Sequence, residues 1–281
     1  MSNGKADYSK ANDFIRAFEK VIDAPVIGHS KVYYTGIDLG TACVVMAVLD
    51  EKRKPVAGRC EYANVVRDGM VVDYVRAIDI VKRMKAEIED ELGSELVYAA
   101  SAIPPGTDKL DGGAVRNVVM GAGFTLTNLL DEPSAANELL GLVDGAVVDI
   151  GGGTTGISIL EGGKVVYVDD EATGGTHFSL VISGAYGMPF DEADEYKRNG
   201  DNHNELLPVV KPVIEKVAAI ISKQIEGRKV EEIALVGGTC CFYGIEDVIE
   251  GVVKTPCGKP CNPLFVTPLG IALSCGESEI E

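Results

Sequence analysis

Two glycine-rich turns, each led by an aspartate, are the stretches of this sequence best suited to chemistry. In one, Asp149 precedes Gly151-Gly152-Gly153-Thr154-Thr155, and in the other Asp38 precedes Gly40-Thr41-Ala42. Glycine lets backbone N–H groups approach an anion closely and threonine hydroxyls add donors, so both turns could cradle phosphate oxygens. A carboxylate has the wrong charge for phosphate and suits a divalent cation that bridges to it. The turns therefore predict a site for a phosphate compound and a cation.

The residues that follow the second turn decide between two interpretations of it. Gly151–Gly156 matches the G-x-G-x-x-G pattern of dinucleotide-binding proteins, which needs a helix directly after the glycines. Here Ile157 and Ile159 recur at the two-residue period of a strand, so that interpretation fails. A plain β-hairpin between two core strands remains an alternative. Because the same device occurs at Asp38, we expect two similar α/β halves that present their hairpins to one shared cleft.

Composition and charge exclude several classes of protein. The 281 residues include 46% hydrophobic and 25% charged ones, which suits a soluble globular α/β protein. The 26 basic and 43 acidic residues give a net charge of −17 without any basic stripe, which argues against nucleic-acid or anionic-membrane binding. No apolar run reaches about 18 residues and no signal peptide opens the chain, so we expect a cytoplasmic protein.

Cysteine and histidine offer no convincing metal site. The chain has seven cysteines, and we expect free thiols. Cys257 and Cys261, with Cys240-Cys241 upstream, fit no standard zinc spacing. No role is assigned to the three histidines, which are His29, His177 and His203.

Strands and helices must hold the two turns in place. Residues 1–31 predict an amphipathic helix that packs on its own domain or docks a partner. A strand over Thr125–Leu130 delivers Asp131-Glu132-Pro133-Ser134-Ala135-Ala136 into a helix. The later elements are a short acidic helix over Asp191–Arg198, a polar loop over Asn199–Asn204, a long helix over Pro208–Gly227, a strand over Val230–Val236 that ends at Gly237-Gly238-Thr239, and a small-residue helix at Pro268–Leu273.

Five motifs stand in a fixed order along the chain. They are Asp38-x-Gly40-Thr41, Glu132-Pro133-x-Ala135-Ala136, Asp149-x-Gly151-Gly152-Gly153-Thr154-Thr155, Val236-Gly237-Gly238-Thr239 and Gly270-x-Ala272. The series resembles the phosphate-1, connect-1, phosphate-2, adenosine and connect-2 motifs of the actin, sugar-kinase and heat-shock-chaperone ATPase superfamily. The resemblance implies an α/β fold of two actin-like (ribonuclease-H-like) halves around a central nucleotide cleft, with reduced outer subdomains. The implied parts are a helical extension over 1–31, a first half over 32–143, a second half over 144–266, and a C-terminal helix over 267–281 that returns to the first half.

Within that superfamily the chain most resembles the EutJ-type ethanolamine-utilisation proteins, which have a DnaK-like ATPase domain. The residues that carry this resemblance are Gly36–Thr41, Val65–Gly69, Pro104–Thr107, Leu130–Pro133, Asp170–Gly175 and Val209–Pro212. That family is linked to bacterial microcompartments that degrade ethanolamine and is described as a chaperone or assembly factor. The resemblance therefore implies partners among ethanolamine-utilisation enzymes or microcompartment proteins, with no nucleic acid and no membrane.

The resemblance also implies a role for each motif residue toward ATP or ADP and Mg²⁺. Asp38 and Asp149 would serve the metal, and Glu132 and Asp149 would orient and polarise the attacking water. The phosphates would be held at Gly40, Thr41 and Ala42 and at Gly151, Gly152, Gly153, Thr154 and Thr155. The adenosine would be held at Gly237, Gly238 and Thr239 and reached by Asp194 and Lys197. The hinge would consist of Ala135, Ala136, Gly270 and Ala272.

Some of these roles have simpler alternatives. Glu132 could instead cap its helix, and Asp194 with Lys197 could be an exposed helix pair. The catalytic lysine that DnaK-type chaperones carry between phosphate-1 and connect-1 has no match, because Lys82 and Lys85 lie on an amphipathic helix.

The function implied is an ATP-binding, slowly hydrolysing chaperone-like or assembly factor of ethanolamine utilisation and its microcompartment, which makes the chain a weak Mg-dependent ATPase. The missing lysine favours an alternative, a nucleotide-dependent scaffold or interaction protein that does not hydrolyse ATP. A small-molecule kinase is disfavoured because short outer subdomains leave little room for an acceptor. An iron–sulfur activator is disfavoured because no cysteine lies between Cys60 and Cys240.

Overall fold

The computed structural model describes residues 7–22, 24–28, 30–67, 70–107, 109–278 and 280, with backbone only for 109–111. His29, Asp68 and Gly69, named above, lie outside these residues. Backbone contacts group the chain into two compact units. The first unit comprises Tyr8–Gly141 and Phe265–Glu281, and the second is built on Leu142–Leu264.

The first unit contains a five-stranded sheet in the order β3-β2-β1-β6-β7. The strands are β1 (Tyr34–Leu39), β2 (Cys43–Leu49), β3 (Pro55–Tyr62), β6 (Tyr98–Ile103) and β7 (Thr125–Asp131), with a separate short ribbon of β4 (Val66–Arg67) and β5 (Met70–Val71). The first three strands are antiparallel neighbours, whereas β6 and β7 run parallel to β1. Every residue of β2 is buried, so its apolar run reads as a strand covered on both faces.

Among the residues described above, five helices complete the first unit. They are α1 (Ser9–Glu19), α2 (Tyr74–Leu92), α3 (Lys109–Gly121), α4 (Glu132–Leu140) and α9 (Val266–Ser274). The carboxylate of Asp73 accepts the Arg76 backbone N–H at the start of α2, and Gly93 ends that helix with a φ of +64°. Asp131 caps α4 in the same way, and Gly141 ends it with a φ of +66°. These start and stop residues are the ones that helix termini generally prefer.

The second unit repeats the topology of the first. Its sheet has the order β10-β9-β8-β11-β12. The strands are β8 (Gly145–Ile150), β9 (Thr155–Glu161), β10 (Lys164–Glu171), β11 (Ile233–Val236) and β12 (Cys257–Gly258). Again three antiparallel strands are followed by two parallel ones. The predicted pair of similar α/β halves is therefore confirmed.

The helices of the second unit differ from the prediction at one place. They are α5 (Gly175–Tyr186), α6 (Phe190–Arg198), α7 (His203–Ile225) and α8 (Ile245–Val253). The polar loop expected over Asn199–Asn204 is instead a short 3₁₀ turn that leads directly into α7. Two prolines inside α7, Pro208 and Pro212, made a later start look plausible because proline favours a first helical turn. The helix begins earlier because His203 and Leu206 are buried.

The outer edge strands of the two sheets, β3 and β10, differ in whether another segment of the chain pairs with them. In the first unit, Ile22 pairs with Gly58 of β3, and the Val26 N–H donates to the Val56 carbonyl (2.8 Å). In the second unit, no segment of the described chain pairs with the outer side of β10. Three valines of β10 are 39–51% exposed, namely Val165, Val166 and Val168. The pairing of β10 with β9 shifts by one residue between Val165 and Tyr167, so β10 contains a β-bulge.

Two further observations concern the whole chain. All seven cysteines are free thiols, as expected. None of the helices in the described ranges combines the length and the apolar composition that crossing a bilayer requires.

Candidate functional site

In the second unit, β8 and β11 bring Asp149 and Gly237 together. Val236 is the direct neighbour of Asp149 in the parallel pairing, so both glycine turns begin at the same edge of the sheet. Asp149 is buried. Gly237 has a φ of +89°, and a Cβ there would overlap the Asp149 carboxylate and lie 2.6 Å from the Ile150 carbonyl oxygen. Only glycine fits this close approach.

The turn after Asp149 is held by the start of α5. The Gly175 N–H donates to the Gly151 carbonyl (2.9 Å), and the Thr176 N–H donates to the Gly152 carbonyl (2.8 Å). A Cβ on Gly174 would lie 2.6 Å from the Gly151 oxygen, so the two backbones touch. Gly153 lies in the same turn, which the Gly151 N–H closes by donating to the Thr154 carbonyl (3.0 Å).

The predicted adenosine motif contacts the same turn. The Thr239 hydroxyl donates to the Gly151 carbonyl (2.7 Å), and Thr239 is buried. The Gly237 N–H donates to the Pro263 carbonyl (3.1 Å), and a Cβ on Gly238 would lie 3.2 Å from Leu264. The structure therefore brings the phosphate-2 and adenosine motifs into direct contact within one unit.

Asp194 and Lys197 are part of a compact polar cluster on α6. Lys197 Nζ donates to Asp194 Oδ1 (2.7 Å), the Ser179 hydroxyl (2.8 Å) and the Gly175 carbonyl (3.0 Å). The side chains of Asp194 and Lys197 are only 26% and 15% exposed, so they are not an exposed helix pair. Burial lowers the pKa of Lys197. Burial alone would raise the pKa of Asp194, but the Lys197 charge and hydrogen bonds outweigh it and lower that pKa.

Asp170 is a residue of this site that sequence reasoning did not single out. In the strand pairing, Gly156 of β9 lies opposite Asp149 on one side and Asp170 of β10 on the other. Direct cross-strand neighbours point to the same face, so the two carboxylates share a face with only a glycine between them. Burial is the main cause that raises the pKa of Asp170 to about 7; a hydrogen bond from Thr154 opposes the rise and the Asp149 charge adds to it.

One oxygen of Asp170 is unusual for a buried polar atom. Its Oδ1 is shielded from solvent and has no hydrogen-bond partner. Such an atom carries a desolvation cost that a cation or an ordered water would relieve. Within the described residues no group of three or more Asp, Glu, His or Cys side chains forms a ready metal cage. The donor set around Asp149, Asp170 and Thr154 nevertheless suits a hard cation that keeps most of its water and takes phosphate oxygens as further ligands.

The first unit places Asp38 and Glu132 at one edge of its sheet. Asp38 lies near the end of β1, and the turn Gly40-Thr41-Ala42 follows it. A Cβ on Gly40 would lie 2.8 Å from the Cys43 carbonyl oxygen, so this turn is as tight as its counterpart. Glu132 opens α4 directly after β7. Strand β6 lies between β1 and β7, so Asp38 and Glu132 are two strand spacings apart across the sheet, which is about 10 Å.

The capping role considered for Glu132 belongs to its neighbour. The Ser134 N–H donates to Asp131 Oδ1 (2.9 Å), which makes Asp131 the cap of α4. Glu132 is half-buried in the first helical turn. A carboxylate at that position also interacts favourably with the helix dipole, so its placement alone assigns it no chemistry.

Three of the four small residues of the predicted hinge, Ala135, Ala136 and Gly270, pack together within the first unit, and the fourth, Ala272, packs on β1. A Cβ on Gly270 of α9 would overlap the Ala135 carbonyl of α4 and lie 3.3 Å from the Ala136 nitrogen. Gly36 of β1 also lies close to Ala272, whose backbone nitrogen would be 2.5 Å from an added Cβ. Helices can cross backbone to backbone only where side chains are this small.

The positions of Lys82 and Lys85, the two lysines considered above as catalytic candidates, are set by helix α2. Lys85 Nζ donates to the Gly123 carbonyl (2.8 Å) and lies 4.7 Å from the centre of the Phe124 ring. Lys82 is exposed on α2. Both lie within the helix that was expected to carry them, and neither stands on a glycine turn.

Comparison with known proteins follows from this geometry. A family model described as Type IV pilus assembly protein PilM matches residues 133–262, and one described as MreB/Mbl protein matches residues 56–184. The ethanolamine utilization protein EutJ of Salmonella typhimurium (strain LT2) is 44% identical over 242 residues, which are 86% of this chain and 85% of that protein.

Solved structures give the same result. The crystal structure of EutJ from Carboxydothermus hydrogenoformans is 45% identical with a TM-score of 0.88, over 94% of this chain and 97% of that one. MreB5 of Spiroplasma citri has TM-scores of 0.68 bound to ADP and 0.70 bound to AMPPNP, at 19% and 17% identity. These two alignments cover 85% and 86% of this chain and 95% of the MreB5 chain in each case. The chain therefore belongs to the EutJ family of ethanolamine utilization proteins, and its fold is the actin-like fold.

Proposed function

We propose that this chain binds ATP with Mg²⁺, hydrolyses it slowly, and serves as a chaperone-like or assembly factor for ethanolamine utilisation and its microcompartment. The observation that carries the nucleotide part is the pair Asp149 and Asp170 beside a glycine turn that is already fixed by Gly175 and Thr239. Two adjacent carboxylates repel each other, and a metal–phosphate group would relieve that repulsion. The MreB5 structures support this proposal because that protein, of the same fold, is bound to ADP and to AMPPNP.

In this proposal the second unit holds phosphate and adenosine. The turn from Gly151 through Gly152, Gly153 and Thr154 to Thr155 faces the phosphates, with the Gly151 N–H used to close the turn, and Gly237, Gly238 and Thr239 leave room for the adenosine. Asp149 and Asp170 accept the cation. A side chain at Gly237 or Gly174 would close the space that these groups leave.

The first unit contributes its own turn and a carboxylate. Asp38 would serve the cation, the turn Gly40, Thr41 and Ala42 would hold the phosphates, and Glu132 and Asp149 would orient the attacking water. Positioning and charge stabilisation account for most of the catalysis in phosphoryl transfer, so fixed carboxylates are sufficient for a slow reaction. When bound, Mg²⁺ supplies neutralisation of phosphate charge.

The second candidate is a nucleotide-dependent scaffold without useful turnover. Lys85 favours it, because this lysine is engaged by Gly123 and Phe124 and cannot act as the catalytic lysine of DnaK-type chaperones. Under either candidate the partners are ethanolamine-utilisation enzymes or microcompartment proteins, and the link of the EutJ relatives to ethanolamine utilization supports this choice.

The deciding experiment combines calorimetric titration with Mg-ATP and Mg-ADP and phosphate release from the same samples. Binding with turnover that Asp149→Asn abolishes supports the ATPase. Binding without turnover supports the scaffold, and no binding refutes both. Asp169→Asn is the matched control, because Asp169 lies beside Asp170 on β10 but accepts hydrogen bonds from Tyr167 and Gln224 on the other face of the sheet.

The partner part needs a separate test. Purified ethanolamine-utilisation enzymes and shell proteins are mixed with the chain in the presence of ATP, ADP or neither. A complex whose yield depends on the nucleotide supports an assembly factor. Failure of every such component to bind in all three conditions refutes that part of the proposal and leaves nucleotide binding untouched.

A further inference from the structure

A chain of hydrogen bonds, closed into a ring by the backbone of residues 239–243, runs through the second unit and joins the phosphate turn to the adenosine turn. The Gly151 carbonyl accepts the Gly175 N–H (2.9 Å), and the Gly175 carbonyl accepts Lys197 Nζ (3.0 Å). The Lys197 carbonyl contacts His203 Nε2 (2.9 Å), and His203 Nδ1 accepts the Tyr243 N–H (3.0 Å). The Thr239 hydroxyl returns to the Gly151 carbonyl (2.7 Å).

The Lys197 side chain is fully used inside this ring. An ammonium group has three N–H donors. All three have acceptors in the protein at 2.7–3.0 Å, in Asp194, Ser179 and Gly175. The ammonium lies so close to the start of α5 that a Cβ on Gly175 would be 3.4 Å from it. No donor remains for a ribose or an adenine ring.

His203 is fixed in one tautomer by the same ring. Because its Nδ1 accepts the Tyr243 N–H, the hydrogen of the neutral ring lies on Nε2, which donates to the Lys197 carbonyl. The ring of His203 stacks on Phe242 at 4.2 Å. The Phe242 N–H in turn donates to the Thr239 carbonyl (3.1 Å), so His203 supports the segment that follows the adenosine motif.

We propose that Lys197 is a positioning residue that sets the phosphate turn through Gly175, and that His203 does the same for the adenosine turn. This inference rests on the proposed nucleotide binding and changes one expectation from the sequence, that Lys197 reaches the adenosine. The ring orders both turns before a ligand arrives, so binding loses little conformational entropy.

Substitutions of the two residues are expected to differ in their effect on the ratio of ADP affinity to adenosine affinity. Lys197→Met keeps the length of the side chain and removes its three donors, so the phosphate turn loses its support. ADP affinity falls about tenfold, while adenosine affinity falls less than about twofold. His203→Phe keeps the stacking on Phe242 and loses both hydrogen bonds, so ADP and adenosine affinities fall by the same factor. A merely structural role of Lys197 would leave the ratio of the two affinities unchanged, so the Lys197 variant carries the test and His203→Phe is the reference for an equal loss of both ligands.

The test measures ADP and adenosine binding by displacement of a fluorescent ATP analogue. Arg198→Met is the matched control, because Arg198 is the neighbour of Lys197 and pairs with the same Asp194 (3.6 Å). Its ratio of affinities is expected to stay at the value of the unsubstituted protein. If Lys197→Met does not fold, as judged by circular dichroism, Ser179→Ala removes one of the three acceptors and is expected to shift the ratio in the same direction by about threefold.

Each outcome decides one claim. Failure of the unsubstituted protein to bind ADP overturns the proposed function and this inference with it. Binding of ADP, with equal losses for ADP and adenosine in Lys197→Met and Ser179→Ala, overturns the positioning role alone. A larger loss for adenosine than for ADP assigns Lys197 to direct contact with the adenosine.

Discussion

Gly237 allows the sharpest test of how the second unit is built. Its φ of +89° is unfavourable for any residue with a side chain, and an alanine Cβ would also overlap the Asp149 carboxylate. The same Cβ would lie 2.6 Å from the Ile150 carbonyl oxygen and 2.8 Å from its carbon, which are backbone atoms of β8 and cannot swing away. Gly237→Ala therefore combines backbone strain with a steric overlap inside the sheet.

Gly227 separates these two contributions. Its φ is +75° and no atom lies within 4 Å of an added Cβ, so Gly227→Ala causes backbone strain alone. We expect that control to lower the free energy of unfolding by about 1 kcal/mol. Gly237→Ala adds an overpacking cost of about 1–3 kcal/mol, for a total of about 2–4 kcal/mol.

Urea unfolding followed by circular dichroism measures both variants under the same conditions. The reasoning fails if Gly237→Ala unfolds at the same urea concentration as Gly227→Ala, because the overlap would then be relieved without cost. A second readout is ADP binding, which is expected to weaken in Gly237→Ala and to stay unchanged in Gly227→Ala. Loss of stability in Gly237→Ala with undiminished ADP affinity would separate the packing argument from the proposed function.

Three further predictions concern other residues. Burial raises the pKa of Asp170 from 3.8 to about 7, so the folded state binds a proton that the unfolded state has lost, and stability falls as pH rises through that window. After discounting for partial exposure, we expect the free energy of unfolding to fall by about 1–2 kcal/mol between pH 5 and pH 8 in EDTA, and we expect Asp170→Asn to remove this fall. Parallel pH profiles of the two proteins would contradict the prediction. Gly270→Ala should lower the free energy of unfolding by about 2–4 kcal/mol, because the backbones of α9 and α4 touch there. Its control is Gly251→Ala in α8, where an added Cβ meets no atom within 4 Å and should raise the free energy of unfolding by up to about 1 kcal/mol. If both variants are stabilised, the two helices do not cross as closely as described. Asp131→Ala removes the cap of α4 and should cost about 1 kcal/mol in urea unfolding, and an unchanged midpoint would show that the cap is not needed.

Local patterns were sufficient to predict the fold. The strand-turn-strand reading of Asp149–Ile159 depends only on a two-residue period and on glycine, and the strands β8 and β9 lie there. The start of α4 followed from residues that cap helices. The start of α7 was not predicted because it depends on tertiary contacts. His203 and Leu206 join the helix because they are buried against the rest of the unit, which the local sequence pattern does not reveal.

Asp170 could not have been assigned to the site by counting along the hairpin. The turn pairs Glu161 with Lys164, and regular counting from that pair places Asp169 opposite Gly156. The bulge between Val165 and Tyr167 shifts the register by one residue and places Asp170 there. A shift of one residue moves every later side chain to the opposite face of the sheet, and the sequence carries no glycine or proline that marks it. The buried cluster around Lys197 escaped for a similar reason, since its partners come from separate helices.

The bulge in β10 also affects how this chain meets its own copies. An open sheet edge with exposed valines is a template for intermolecular strand pairing, the first step of aggregation. A bulge interrupts the regular spacing of the outward backbone groups, so a straight foreign strand can match only a short stretch at a time. In the first unit the segment around Val26 occupies the equivalent edge. The one extra residue in β10 thus has two effects. It places the Asp170 carboxylate on the same face as Asp149, and it hinders the exposed sheet edge from pairing with further copies to form a fibre.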